Sequence, residues 1–359
     1  MPLVHEKLYI FLYEAVHVIE FAPEEAPRSR NADETDLMVL HALQIAPRAS
    51  WAEIGAAIGV APTTVARRWL QLAERGEAWI TAYVASPYSR LSLVHIDVEA
   101  GIAEQAVRTL GRLSALVTID EVSGTRPLLA TLVAPSTERM ATALRRIRGV
   151  PGVLSCDAVL STSVLAHGSR WRLDALDPEQ VAVMQRVAGV SRSAPMPHID
   201  DFDRELVRTL RVDGRASATE LAQRLSVSVN TVRRRIGRLL DSGWLTMRCD
   251  LSAAVSGHEV VAYLWFRVPP EELVAAGEAI AALPERRTVA TLAGRHNLLV
   301  IAWLHRPEDL PGLEVRISEA CPSAVVDDRS VALRKIKHVG RVLGPDGRVV
   351  EVVPIDEFA

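Results

Sequence analysis

The sequence predicts an α+β chain made of two tandem copies of one unit, each a tri-helical block followed by a βαββαβ sheet domain, with the two sheets paired face to face. Three observations predict it: a gapless internal repeat, a switch from helical to alternating hydrophobic period after each repeat block, and strands that are apolar on both faces. Residues 36–80 fall on residues 203–247 without a gap, at an offset of 203 − 36 = 167. Arg48-Ala49-Ser50 meets Arg215-Ala216-Ser217, Thr64-Val65 meets Thr231-Val232, Arg67-Arg68 meets Arg234-Arg235, and Gly76 meets Gly243.

Bulk properties bound the classes available. A chain of 359 residues is long enough for two to four domains. Its net charge is only -3, from 41 Lys+Arg against 44 Asp+Glu, so any contact with nucleic acid must come from a local basic surface. Cys156, Cys249 and Cys321 lie far apart without a CxxC pair, which argues against a disulfide framework or a zinc site. No apolar run reaches the length of a membrane span, and the stretch 8–12 is too short for a signal peptide. A cytoplasmic location is expected, with neither metal nor cofactor.

Taken in order, residues 1–30 match neither copy and form an N-terminal extension of unassigned role. The first tri-helical block is expected over 31–82 and the first sheet domain over 88–166. Within that domain, strands are predicted near 91–98, 117–122, 128–133 and 154–162, and helices near 102–113 and 136–148. Ile102, Ala106, Leu110 and Leu113 keep helical spacing in the first of these helices. Residues 171–197 supply a connector helix and a Ser/Pro-rich linker. The second block spans 198–250 and the second sheet domain 257–338. Its strands are predicted near 260–268, 288–293, 298–304 and 325–333, and its helices near 271–283 and 307–320. The tail, 339–359, carries a turn at Pro345-Asp346-Gly347 and reads as a terminal hairpin. The order βαββαβ is that of a ferredoxin-like unit.

The strands define how the two sheets must be buried. Leu298-Leu299-Val300-Ile301-Ala302-Trp303-Leu304 holds no polar residue, and in 260–268 Val261, Tyr263 and Trp265 alternate with Ala262, Leu264 and Phe266. Two helices cover one face of such a sheet. The other face needs a second apolar surface, most simply a second sheet about 10 Å away, supplied by the other unit or by a neighbouring chain. The connector helix and the N-terminal segment are the alternative cover.

The second block carries the clearest chemistry. Ser217 with Glu220 three residues on makes a capping box, and a third helix is predicted over 229–241, ending at Gly243. Val232, Ile236, Leu239 and Leu240 form its buried stripe. That leaves Thr231, Arg234, Arg235 and Arg238 outward, with Ser228 and Asn230 at its amino end and Arg233 on the flank. Such a face fits the major groove of B-DNA, where guanidinium groups bond guanine bidentately and small polar groups bond phosphates or base edges. A solvated charged face would interleave acids at i±4, and none is present. The first block keeps Thr63, Thr64, Arg67 and Arg68 but has Ala66 and Gln71 where the second has Arg233 and Arg238, so weaker DNA binding is expected of it.

These features together resemble the Lrp/AsnC family of transcription regulators, through Asp203-Arg204-Glu205-Leu206, Asp213-Gly214-Arg215-Ala216-Ser217, Leu225-Ser226-Val227-Ser228 and Thr231-Val232-Arg233-Arg234-Arg235-Ile236. The resemblance covers about 31–165 and 198–338. It implies winged or tri-helical helix-turn-helix DNA-binding domains joined to ferredoxin-like sensor domains that dimerise through their sheets into a homo-oligomer. It also implies a small effector, commonly an amino acid, held near the turn between the second and third strands of a sensor unit. Two units in one chain suggest a built-in pseudo-dimer. The turns here are Gly124-Thr125-Arg126-Pro127 and Gly294-Arg295-His296-Asn297. Pro127 and Asn297 stand where the family often has an acid, so an anionic or neutral ligand suits them better than a lone ammonium, and a plain hairpin turn without ligand is the other reading. Two other functions share the architecture. A siroheme-decarboxylase-like enzyme would need Arg295, His296, His258 and His305 around a tetrapyrrole; a protein-docking module would have lost DNA binding. No Gly-rich phosphate loop, GxSxG or HExxH is present, so a non-enzyme is expected.

Overall fold

The computed structural model describes residues 32–84, 90–168, 171–189 and 198–356; the N-terminal extension and the Ser/Pro linker lie outside these. The first head consists of α1 (Glu34–Ile45), α2 (Trp51–Ile58) and α3 (Pro62–Glu74), followed by β1 (Ala78–Val84). The first sheet domain runs β2 (Arg90–Val98), α4 (Ala103–Gly111), β3 (Leu116–Val122), β4 (Leu128–Ala134), α5 (Thr137–Arg148) and β5 (Val153–Ala166). After α6 (Pro178–Ala188) comes the second head, α7 (Asp201–Val212), α8 (Ala218–Arg224), α9 (Val229–Asp241) and β6 (Leu245–Leu251). A short helix α10 (Ala253–Ser256) leads to β7 (Val260–Arg267), α11 (Leu273–Ala281), β8 (Arg286–Ala293), β9 (Leu298–Leu304), α12 (Leu310–Ala320) and β10 (Val325–His338). The terminal hairpin is β11 (Arg341–Leu343) and β12 (Val349–Val352).

Local chemistry sets the helix starts in the same way in both copies. Capping boxes open α1 (Asp33 with Asp36), α2 (Ser50 with Glu53), α7 (Asp200 with Asp203) and α8 (Ser217 with Glu220), each satisfying backbone N–H groups that a helix start leaves without a partner. The copies differ at the third helix. Ser228 caps α9 by accepting from the Thr231 N–H at 3.1 Å, whereas α3 begins with Ala61 and Pro62 and has no side-chain cap.

The sheets do pair, and they also exchange edges. Both β5 and β10 are 14 residues long, well past the predicted ends at 162 and 333. The first half of β5 pairs with β2 in its own sheet and the second half with β8 of the other, through Leu160↔Ala293 to Ala166↔Val289. In β10 the pairing passes from β7 to β3, ending at His338↔Thr118. Eight strands thereby close in the order β10-β3-β4-β2-β5-β8-β9-β7, with β11 and β12 added outside. Arg334, Lys335, Lys337 and His338 hid the continuation of β10 in the sequence; their backbone is paired all the same because a barrel leaves no sheet edge open.

Burial follows the alternation. Val261, Tyr263 and Trp265 join Leu93, Leu129, Ala290, Leu292, Leu299 and Trp303 in the layer between the sheets. Ala262, Leu264 and Phe266 pack outward with residues of α11 and α12, and Val94, Ile96 and Leu132 pack with residues of α4 and α5. The sheet faces are thus satisfied within one chain. The connector helix α6 packs on the first head, and the segment leading into it is tied there. The Leu173 N–H donates to Gln44 Oε1 at 2.8 Å, and the Ala175 and Leu176 N–H groups donate to His41 Nδ1 at 3.2 and 3.1 Å, while Trp171 lies against Trp303 of β9.

The heads are joined by an approximate two-fold axis. Strands β1 and β6 pair antiparallel, with the repeat-equivalent residues Thr81 and Arg248 opposite each other. Arg48 donates to Gly214 O at 2.7 Å and Ala216 O at 3.0 Å; its equivalent Arg215 returns the contact to Pro47 O at 2.9 Å and Ala49 O at 3.0 Å. The terminal hairpin, which had no role in the sequence reading, fastens both heads. Buried Arg341 donates to the last carbonyls of α7, Arg211 O at 3.0 Å and Val212 O at 2.8 Å, while the Val349 N–H donates to Gly76 O at 3.0 Å.

Candidate nucleic-acid interface

The outward face of α9 divides into two sets of side chains. Ser228, Asn230, Arg233 and Arg234 are exposed, and Thr231 is half-buried. No ion pair engages Arg233 or Arg234 among the described residues. Arg235 and Arg238 instead turn back onto α7. Arg235 Nη1 lies 2.8 Å from Asp200 and 3.0 Å from Asp203, and Arg238 also bonds the Asp203 carboxylate. Asp203 is wholly buried, so these two guanidinium groups neutralise it and lock the third helix to the first. This corrects the expectation that Arg235 and Arg238 face the groove. The acids missing at i±4 come from another helix.

The first head repeats the arrangement. Arg68, equivalent to Arg235, pairs with Asp33 at 2.5 Å and Asp36 at 3.3 Å, so it too holds its helix in place. Thr63 and Arg67 are exposed and Thr64 is half-buried. The exposed, unpaired cations on the third helices are therefore Arg233 and Arg234 in one head and Arg67 in the other, among the described residues.

The two turns predicted as effector sites meet. Gly124, Thr125, Arg126, Arg295 and His296 line one cavity of about 490 Å³, together with His95, Trp265 and Asp328. Arg126 pairs with Asp157 at 2.5 Å; His296 Nε2 lies 2.9 Å and Arg295 3.6 Å from Asp327. Asn297 does not line that cavity. Its Oδ1 accepts from the Val268 N–H at 3.0 Å and its amide donates to Val268 O at 2.7 Å, pinning the turn to β7. Gly294 is needed for close approach, since a Cβ there would lie 2.8 Å from Val159. The histidines proposed for a tetrapyrrole do not converge: His258 stacks on His305, ring centroids 4.2 Å apart, while Arg295 and His296 sit at the opposite end of β9.

A second cavity was not found from sequence. About 210 Å³ lies between the sheets and the β1–β6 ribbon, lined by Tyr83, Val84 and Arg248 from the ribbon and by Asp120, Tyr263, Arg287, Lys335 and His338 from the sheets. Asp250 accepts from Arg248, from Arg287 at 3.1 Å and from His338 at 3.2 Å. Burial pushes Asp250 up, but these three neighbours outweigh it and hold the carboxyl well below the usual range. Burial raises Asp120, which accepts from the Tyr263 hydroxyl, to about 6, and lowers Lys335 to about 8. Charged residues at inward positions of otherwise apolar strands were the available signal.

Known proteins agree with this arrangement. The AsnC-type helix-turn-helix domain matches residues 33–73 and again 199–240, the two heads. A helix-turn-helix-type transcriptional regulator of Pyrococcus abyssi is 31% identical over 103 residues, 28% of this chain and 65% of its own length. One of Pyrococcus horikoshii is 30% identical over 122 residues, 34% of this chain and 75% of its own. Another, of Mycobacterium tuberculosis, is 30% identical over 139 residues, 37% of this chain and 88% of its own. Among solved structures, the siroheme decarboxylase NirDL superposes with a TM-score of 0.55 at 16% identity, covering 86% of this chain and 93% of that one, a likeness of fold. No helix among the described residues is long and apolar enough to cross a membrane. With the domain found at both heads and relatives matched over most of their length, the chain belongs to the Lrp/AsnC family of helix-turn-helix transcriptional regulators.

Proposed function

We propose that the chain is a sequence-specific transcription regulator that enters the DNA major groove chiefly through α9. The observation that carries this reading is the exposed row Ser228, Asn230, Arg233 and Arg234, whose two arginines have no intramolecular ion pair among the described residues. Arg234 and Asn230 are assigned to base edges, Arg233 and the amino end of α9 with Ser228 and Thr231 to phosphates. The first head supplies Thr63, Thr64 and Arg67 to a second, weaker half-site. The pseudo-two-fold ribbon and the Arg48/Arg215 exchange set the spacing of the two half-sites. An effector, where one acts, is placed in the cavity between the two turns. Arg126 and Arg295 at its rim favour an anionic group there. Because the sheet faces are used within the chain, a higher assembly would form through its helix-covered outside.

The test is an anisotropy titration against sequences selected from the genome by the wild-type protein, at two salt concentrations. Arg234→Ala should cost about 1–3 kcal/mol on the selected site and little on random DNA, whereas Arg233→Ala should weaken both alike and lower the salt slope by about one. Equal binding by wild type and the two variants would refute the assignment.

A further inference from the structure

The cavity between the sheets is chemically unequal in its two halves. On the register that aligns Gly124 with Gly294, an offset of 294 − 124 = 170, Arg287 corresponds to Val117 and Asp120 to Ala290; all four line the cavity. Each charge therefore occurs once where the repeat would supply two. The two halves thus line the cavity asymmetrically.

Its charges do not balance internally. Arg248 and Arg287 both bond Asp250, and Asp120 is engaged by Tyr263. Lys335 stands opposite Asp120 in the β10–β3 register and feels that carboxylate's charge, but the two are not directly bonded, and three cations face two carboxylates. Its ammonium makes no hydrogen bond and no ion pair within 4 Å among the described residues, and lies 4.4 Å from the Trp303 ring centroid, with the Arg287 guanidinium 3.9 Å from the same ring. Lys335 is half-buried and faces the cavity without a hydrogen-bond acceptor, and an anion placed against it supplies one. Leu91, Leu93, Val261, Leu299 and Ile301 form an apolar part of the wall, with Thr118, Thr131 and Thr288 also on the lining. At about 210 Å³ the space exceeds the ~150 Å³ that admits benzene and falls below the ~300 Å³ at which drug-sized sites begin.

We propose that this cavity binds one small monocarboxylate per chain, with the carboxylate on Lys335 and a branched or aromatic body against the apolar wall. Its ligand carries no ammonium group, because Arg248, Arg287 and Lys335 outnumber Asp120 and Asp250 by a single positive charge, which one carboxylate balances. The site is separate from the turn cavity, with which it shares no lining residue.

Calorimetric titration of the full chain with benzoate and with 4-methyl-2-oxopentanoate should give saturable binding at a stoichiometry of one. Benzamide and leucine, which match them in shape but lack a lone negative charge, should bind at least about tenfold more weakly. Lys335→Gln should weaken benzoate by about tenfold or more. Ala290→Leu fills the space from the opposite wall with every charge in place; it should abolish binding while the thermal midpoint of the free protein stays at or above wild type. Equal affinity for benzoate and benzamide, retained binding by a folded Lys335→Gln or by Ala290→Leu, or no heat with either acid at millimolar concentration would overturn the proposal.

Discussion

Arg234 and Arg235 are adjacent on α9, yet the structure gives them opposite work, and that contrast can be measured. Arg235 spans Asp200 at 2.8 Å and Asp203 at 3.0 Å; its side chain is 23% exposed and that of Asp203 is 0%. The Asp203 Oδ2 atom takes Arg235, Arg238 and the Asp200 N–H, while its Oδ1 finds no partner among the described residues. Arg235→Ala removes its contact with the half-exposed Asp200 and a charge-assisted bond of about 1.5–3 kcal/mol to Asp203, and leaves Arg238 to hold the buried carboxylate. Partial exposure of Arg235 reduces this to a net loss of about 1–2 kcal/mol. Removing Arg238 as well strands the charge and should cost about 3–5 kcal/mol. Arg234→Ala, on an exposed side chain without a partner, should stay within about 0.5 kcal/mol of wild type. Urea unfolding followed by circular dichroism measures the stabilities, and the DNA titration is run beside it. Arg235→Ala should lose stability first and affinity as a consequence, Arg234→Ala affinity alone. Equal stability of the two variants would refute the division of the helix into a holding face and a reading face.

Two further outcomes follow from local chemistry. His41 accepts two backbone N–H groups through Nδ1, and burial lowers it from 6.5 to about 4. Between those values the unfolded chain binds a proton that the folded chain refuses, so stability falls as pH drops from about 6.5 to about 4, by up to about 3 kcal/mol, and then levels off. His41→Gln should flatten that part of the stability–pH curve relative to wild type, and an unchanged slope would count against a neutral His41 acceptor. Ser226 sits at φ 53 where its repeat mate Gly59 has φ 71, so Ser226→Gly should stabilise the second head by about 0.5–1 kcal/mol, read from urea midpoints. Gly59→Ser should destabilise the first head by a similar amount, and opposite signs would contradict the left-handed turn.

The duplication, the three helices of each head and the two-sided strands were all legible in the sequence, because each rests on a periodicity that neighbouring residues impose. Val232, Ile236 and Leu239 recur at helical spacing, and Val261, Tyr263 and Trp265 at alternate positions, whatever packs against them. Capping boxes such as Ser217 with Glu220 are equally local, spanning three residues.

What the tertiary structure decided involves partners far apart in the chain. Arg235 and Arg238 looked free because acids were sought one turn away, while Asp200 and Asp203 arrive from a helix 32 to 35 residues earlier. The turns at Gly124 and Gly294 looked like two sites and became one cavity only when β5 and β10 crossed between the sheets. Lys335, Arg287 and Asp120 belong to three strands, and no pattern along one strand shows that their side chains share a buried space. The sequence by itself determined the repeat, the helices and strands, and the apolar face of each. Only closure of the barrel decided which charges meet, because that depends on distance in space and on the dielectric of the enclosed volume, and neither is written along the chain.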